Sequence, residues 1–103
     1  MIDAKSGMTG AGRAAKEEML FSEVSEGIHA YGVGHHRHMA ELDQEFSLAA
    51  GREVIVTFTP HLVPMNRGIL STIYVRFKDP QTRESVLRLY REFFAGSPMV
   101  RLY

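Results

Sequence analysis

The chain has 103 residues, 45% of them hydrophobic and 23% charged, enough for one small domain with a single core. Twelve lysines and arginines balance twelve aspartates and glutamates, so no overall charge draws nucleic acid or an anionic lipid surface. The sequence has no cysteine, which excludes disulfides, thiolate zinc sites and a thiol nucleophile within these residues; no apolar run approaches the roughly 20 residues of a membrane span, and the first residues do not read as a signal peptide.

In chain order, a short strand-like opening runs into Ser6-Gly7-Met8-Thr9-Gly10-Ala11-Gly12-Arg13. Its glycines and hydroxyls predict a loop. Residues 14–34 are read mostly as a long loop, with a helical turn or two between Ala14 and Phe21; Gly27, Gly32 and Gly34 imply an irregular path. Met39, Leu42, Phe46 and Ala49 or Ala50 recur at helical spacing, so residues 39–50 are predicted helical, with Gly51 as the stop.

Residues 53–59, Glu-Val-Ile-Val-Thr-Phe-Thr, are β-branched-rich and predict a strand. Pro60 and Pro64 are expected to end it, because neither can donate to a ladder. A second strand is predicted over 69–77. Asp79-Pro80 and Thr82 supply helix-start chemistry, and Val86, Leu87, Tyr90, Phe93 and Phe94 form an apolar stripe closed by Gly96. Residues 99–103 read as a final strand, and stopping on a strand predicts that these residues were cut from a longer chain. The expected fold class is α+β, a mainly antiparallel mixed sheet with helices on one face.

The densest polar cluster is His35-His36-Arg37-His38, followed by Glu41. Imidazole titrates near neutrality and suits proton transfer. A metal site, a solvated loop and a catalytic or anion-binding site all fit the cluster, although no thiolate or second compact ligand pair supports a metal. The Ser6–Arg13 loop could offer backbone N–H groups and a guanidinium to phosphate, or be simply flexible. The segment from Thr57 to Gly68, stiffened by two prolines, reads on physics alone as a rigid crossover.

Three of these segments together resemble N-acetyl-gamma-glutamyl-phosphate reductases: Ser6 to Arg13, Gly34-His35-His36-Arg37-His38-Met39-Ala40-Glu41, and Phe58-Thr59-Pro60-His61-Leu62-Val63-Pro64-Met65-Asn66-Arg67-Gly68-Ile69-Leu70. The order and spacing of the blocks are similar to the family's from about Asp3 to Tyr74. The family often carries serine where Thr9 stands and proline where Ala40 stands. The resemblance implies a single partial catalytic and dimerisation domain over 1–103, of the glyceraldehyde-3-phosphate-dehydrogenase-like C-terminal type. It also implies a cytoplasmic, homo-oligomeric enzyme that reduces N-acetyl-glutamyl phosphate with NADPH in arginine biosynthesis. The family's Rossmann NADP domain and nucleophilic cysteine are expected upstream of these residues, so the isolated piece is expected to be inactive.

By the same resemblance His36 is the acid/base, with His38 the close alternative. Arg37, Arg13 and Arg67 are substrate-binding, the last more weakly, as is His61. Ser6, Gly7, Thr9 and Gly10 lie against the cofactor, and no metal is expected. Two other readings remain: a lysine-pathway reductase acting on a substrate one carbon longer, since one methylene gives only about 1–3 kcal/mol of discrimination, and a non-catalytic interaction or regulatory domain of the same fold.

Overall fold

A computed structural model of the protein describes residues 1–11, 17 and 20–103. Ile2-Asp3-Ala4-Lys5-Ser6 alternates apolar and polar side chains and forms strand β1 (Ile2–Ser6). Period two sends Ile2 and Ala4 into the core, and Asp3 and Lys5 to the opposite face. A short 3-10 turn (Met8–Ala11), helix α1 (Phe21–Val24) and strand β2 (His29–Ala30) follow. Then come helix α2 (His38–Ala50), strands β3 (Phe58–Leu62) and β4 (Ile69–Ile73), and helix α3 (Arg83–Phe93).

The sheet order is β2-β3-β1-β4. Strand β1 lies between β3, to which it is parallel, and β4, to which it is antiparallel; β2 pairs antiparallel with β3. This mixed sheet with helices is the expected α+β class. The register matches Ile2 with Phe58 and Ile73, and Ser6 with Leu62 and Ile69. Ile2, Ala4, Pro60 and Leu62 therefore share the buried face, and Val24, Val56 and Val63 complete the core among the described residues.

Helix α2 matches the predicted span. At its end the Gly51 and Arg52 N–H groups donate to Leu48 and Ser47 carbonyls, both at 3.3 Å. Helix α3 begins with a reciprocal cap: Thr82 Oγ1 accepts from the Ser85 N–H and Ser85 Oγ accepts from the Thr82 N–H, each at 3.1 Å.

The predicted strand at 53–59 is displaced: the ladder runs over Phe58–Leu62 and includes Pro60. The reason is which way each residue faces. The Thr57 carbonyl accepts from the Ile2 N–H of β1 at 2.7 Å, and the Pro60 carbonyl accepts from the Tyr31 N–H at 3.0 Å. Alternation thus turns Pro60 toward β2, a two-residue edge strand, where its missing donor breaks no long ladder. Residues 53–56 lie outside the ladder and draw partners from α2: the Val54 N–H donates to Ser47 Oγ at 2.9 Å, and the Val56 N–H to Asp43 Oδ1 at 2.8 Å. Asp43 and Ser47 are four apart on one helix face, and Val54 and Val56 are two apart along an extended chain. The strand predicted at 69–77 ends at Ile73, and residues 99–103 form no strand.

Asp43→Ala leaves the partly buried Val56 N–H unpaired and is expected to cost about 1–3 kcal/mol. Ser47→Ala should do the same at Val54. Urea denaturation checks both, and a midpoint unchanged in both variants would refute this seam.

Candidate functional site

His36 lies between Gly34 and the start of α2, where the backbone turns from loop to helix. Its ring is partly buried in an aromatic nest. Tyr31 stands edge-on at 5.4 Å between centroids, Phe58 at 5.3 Å and His38 at 4.9 Å. Pairing brings the nest together, since the Tyr31 N–H bonds to Pro60 and Phe58 opens β3. Gly32, at φ +59, leaves room for the ring: a Cβ there would stand 3.1 Å from His36 Cδ2. The His38 backbone N–H donates to His36 Nδ1 at 3.2 Å. Burial first, then the charges of His38, Arg37 and His35, lowers the His36 pKa below its ordinary 6.5. Arg37 and His38 are exposed beside it, at the N-terminal end of α2.

The second sequence block sits elsewhere. Gly7 donates to the Gly68 carbonyl at 2.9 Å, Met8 to Met65 at 3.0 Å and Thr9 to Asn66 at 3.2 Å. Thr9 Oγ1 adds a 2.7 Å bond to the Asn66 carbonyl, and Ser6 Oγ donates to the Gly7 carbonyl at 3.1 Å. Gly10 donates back to Gly7 at 3.4 Å. The N–H groups of Gly7 to Gly10 are thus spent on protein carbonyls, and the loop is a laced platform rather than an open phosphate cradle. Exposed Arg67 belongs to the opposing 63–68 loop. Arg13 lies outside the described residues.

The structure brings Ser6, Gly7, Thr9, Gly10 and Arg67 together, and separately His36, Arg37 and His38. It does not join the two groups. The His36 nest rests on Phe58, opposite Ile2, whereas the laced loops leave from Ser6 and Leu62. These are opposite ends of β3, roughly 13 Å apart at the rise of an extended strand.

The open sheet face carries a polar set that only partly surfaced in the sequence. Lys5 Nζ is 2.6 Å from Asp3 Oδ2, and His61 Nδ1 is 3.0 Å from Asp3 Oδ1. The imidazole contact is close without being an aligned hydrogen bond, since neither Asp3 Oδ1 nor His61 Nδ1 has a hydrogen-bond partner. The Lys5 hydrogen bond, more than the charges of Lys5 and His61, holds the Asp3 carboxyl below its ordinary 3.8, against partial desolvation. Period-two spacing of Asp3 and Lys5 was the available signal. For Tyr31 and Gly32 the sequence offers none, and Phe58 stands out only as the first residue of the third resembling block. Among the described residues no cluster of metal-ligating side chains occurs, and no helix is long and apolar enough to cross a membrane.

Residues 1–103 match the family described as semialdehyde dehydrogenase, dimerisation domain. An N-acetyl-gamma-glutamyl-phosphate reductase of Rhodospirillum rubrum is 74% identical over 102 residues, which cover 99% of this chain and 29% of that protein. The enzyme of that name from Afipia carboxidovorans is 69% identical over 100 residues, 97% of this chain and 28% of its own. The Geobacter metallireducens one is 55% identical over 103 residues, 99% and 30% respectively. The resemblance carried by the three sequence blocks therefore holds, and the chain spans less than a third of the length of these curated relatives.

Two outcomes follow from the geometry. Gly7→Ala places a Cβ 2.9 Å from the Met65 carbonyl oxygen, a backbone group that cannot swing aside. The expected cost is about 1–3 kcal/mol, read as a lower melting temperature; an unchanged melt would mean that the two loops are not laced. The depressed Asp3 contributes stability above its unfolded pKa that is lost as pH falls through the folded one. Asp3→Asn should therefore flatten the acid end of a stability–pH curve, and an identical acid limb would rule the pair out.

Proposed function

The chain belongs to the semialdehyde dehydrogenase dimerisation-domain family, and we propose that it is part of an N-acetyl-gamma-glutamyl-phosphate reductase of arginine biosynthesis. That enzyme would convert N-acetyl-glutamyl 5-phosphate to N-acetyl-glutamate 5-semialdehyde and phosphate. The observation that carries this reading is the identity, up to 74%, with reductases of that name over nearly the whole chain. The complete protein is proposed to be a cytoplasmic homo-oligomer.

NADPH, when bound, supplies the hydride. Phosphate recognition on the cofactor is assigned to a Rossmann domain outside these 103 residues, because the described N–H groups of the Gly7–Gly10 turn are already bonded. Ser6, Gly7, Thr9 and Gly10 would instead give the cofactor a firm surface, with glycines allowing close approach. His36 is the proton-handling group; it is the partly buried imidazole of the cluster, and burial lowers its pKa. His38, exposed next to it, is the alternative. Arg37 can fork onto the substrate's carboxylate or phosphate. Arg13 and Arg67 are proposed for the same anions, Arg67 from the far end of β3. With no thiol in these residues to take up the acyl group, the 103-residue piece is expected to show no turnover.

The test is phosphate-dependent NADP⁺ reduction by the full-length protein with N-acetylglutamate semialdehyde, with and without His36→Asn. A loss of about 10²–10⁴-fold in kcat is expected. An active parent and an unaffected variant would move the proton to His38. A parent active only on the one-carbon-longer semialdehyde would place the protein in the lysine-type reaction.

A further inference from the structure

After Val63 the 63–68 loop buries nothing: every residue from Pro64 to Gly68 is exposed. A loop of this kind gains little from apolar burial and stays mobile unless hydrogen bonds order it. Here they do. The Val63 N–H donates to the Ser6 carbonyl at 3.1 Å, the Gly7 N–H to the Gly68 carbonyl at 2.9 Å, and the Met8 N–H to the Met65 carbonyl at 3.0 Å. The Asn66 carbonyl accepts twice from Thr9, from its N–H at 3.2 Å and from its Oγ1 at 2.7 Å.

Arg67 stands in the middle of these bonds. The carbonyls before and after it, on Asn66 and Gly68, are both taken by Gly7 and Thr9. Gly7 also closes on its main chain, since a Cβ there would stand 3.0 Å from the Arg67 nitrogen and 3.1 Å from its carbonyl carbon. Gly68, at φ +98, then turns the chain through the left-handed region that favours glycine. The Arg67 backbone is thus held while its side chain is left to solvent. Among the described residues its guanidinium pairs with no carboxylate, unlike Lys5, which Asp3 holds. Arg83, Arg88 and Arg91 are exposed too, but they belong to the charged face of α3, an ordinary solvated surface. A guanidinium on a fixed backbone gives up less freedom when it forks onto a carboxylate or phosphate, and so binds it more tightly.

We propose that Gly7 and Thr9 are positioning residues that hold the 63–68 loop so that Arg67 presents its guanidinium to an oxyanion of the reaction, a carboxylate or phosphate carried by the acyl substrate, by inorganic phosphate or by the nucleotide. This rests on the reductase reading and refines it: the Gly-rich block serves anion binding through Arg67, not through its own N–H groups.

The test uses the full-length protein in phosphate-dependent NADP⁺ reduction with N-acetylglutamate semialdehyde. Calorimetric titration with inorganic phosphate, N-acetylglutamate and NADP⁺ runs beside it and needs no turnover. Arg67→Gln should raise one KM by about tenfold or more and change kcat much less. Which KM rises, that of semialdehyde, phosphate or NADP⁺, names the source of the anion. Thr9→Val keeps the side chain's shape and removes its hydroxyl; it should raise the same KM by about threefold to tenfold, and Thr9→Ser should restore it. Added to Arg67→Gln, Thr9→Val should change nothing more, because the two act as one unit. Additive losses would mean that Thr9 touches a reactant itself and would overturn the positioning role, as would a Thr9→Val protein with unchanged KM values. Three unchanged KM values in Arg67→Gln would overturn the anion role. A parent without turnover would sink the reductase reading, and the titrations would then decide this inference: about tenfold weaker binding of one probe by Arg67→Gln supports it, and equal binding of all three refutes it.

Discussion

The placement of β1 between β3 and β4 is the constraint on which the other features depend. Five residues at the start of the chain pair on both edges with strands from its second half. The loop-closure entropy of such pairing is returned only when both partners arrive. The register is not free to slip. A shift by one residue would turn Asp3 and Lys5 into the core and Ile2 and Ala4 out of it. The Asp3–Lys5–His61 set on the open face and the buried apolar set on the other therefore specify the same alignment. That alignment fixes the site, because it seats His36 over Phe58 at one end and ties the Gly7 loop to the Met65 loop at the other.

Much of this was legible where local chemistry decides. The apolar spacing of α2, its Gly51 stop and the Thr82 start of α3 are satisfied within a few residues of themselves, so sequence suffices. The strand at 53–59 was misplaced because β-branched composition reports a preference for extended backbone, not the presence of a partner. Val54 and Val56 lie outside the ladder, and their donors meet Ser47 and Asp43 of a helix. Pro60 misled for a related reason. The rule that proline ends a strand presumes a ladder on the side its nitrogen faces, and here that side holds only the end of β2. Residues 75–77 and 99–103 have strand-like sequences and no ladder, which is again a question of partners rather than propensity; Tyr74 still exchanges backbone bonds with Met1.

The candidate site divides along the same line. The histidine block announced itself by residue type, and the resemblance singled out His36. What gives His36 its character is tertiary: an aromatic edge from Phe58, another from Tyr31, and a gap at Gly32. Each comes from a segment that sequence alone read as strand or loop with no stated purpose. The Gly-rich block shows the converse. Its composition suggested open N–H groups, but glycine also permits close backbone approach, and the fold uses it that way against the Met65 and Arg67 backbone. Composition could not distinguish the two uses, since both need the same missing side chain.

The remaining asymmetry concerns what this sheet is built to meet. Strand β4 is the edge of the order β2-β3-β1-β4, and it is apolar on both sides: Ile69 and Ile73 project with Ile2, and Leu70 with Lys5. All three are more than half exposed, as is Phe93 of α3 at 78%. Isolated exposed apolar side chains need no explanation, but an apolar edge strand does. The small core of Ile2, Ala4, Val24, Val56, Leu62 and Val63 lies toward β1 and β3 and gives β4 little cover. Burial of Ile69, Leu70 and Ile73 at about 25 cal/mol per Å² would add to a fold whose own core is modest. The family's description as a dimerisation domain agrees with a surface of this kind.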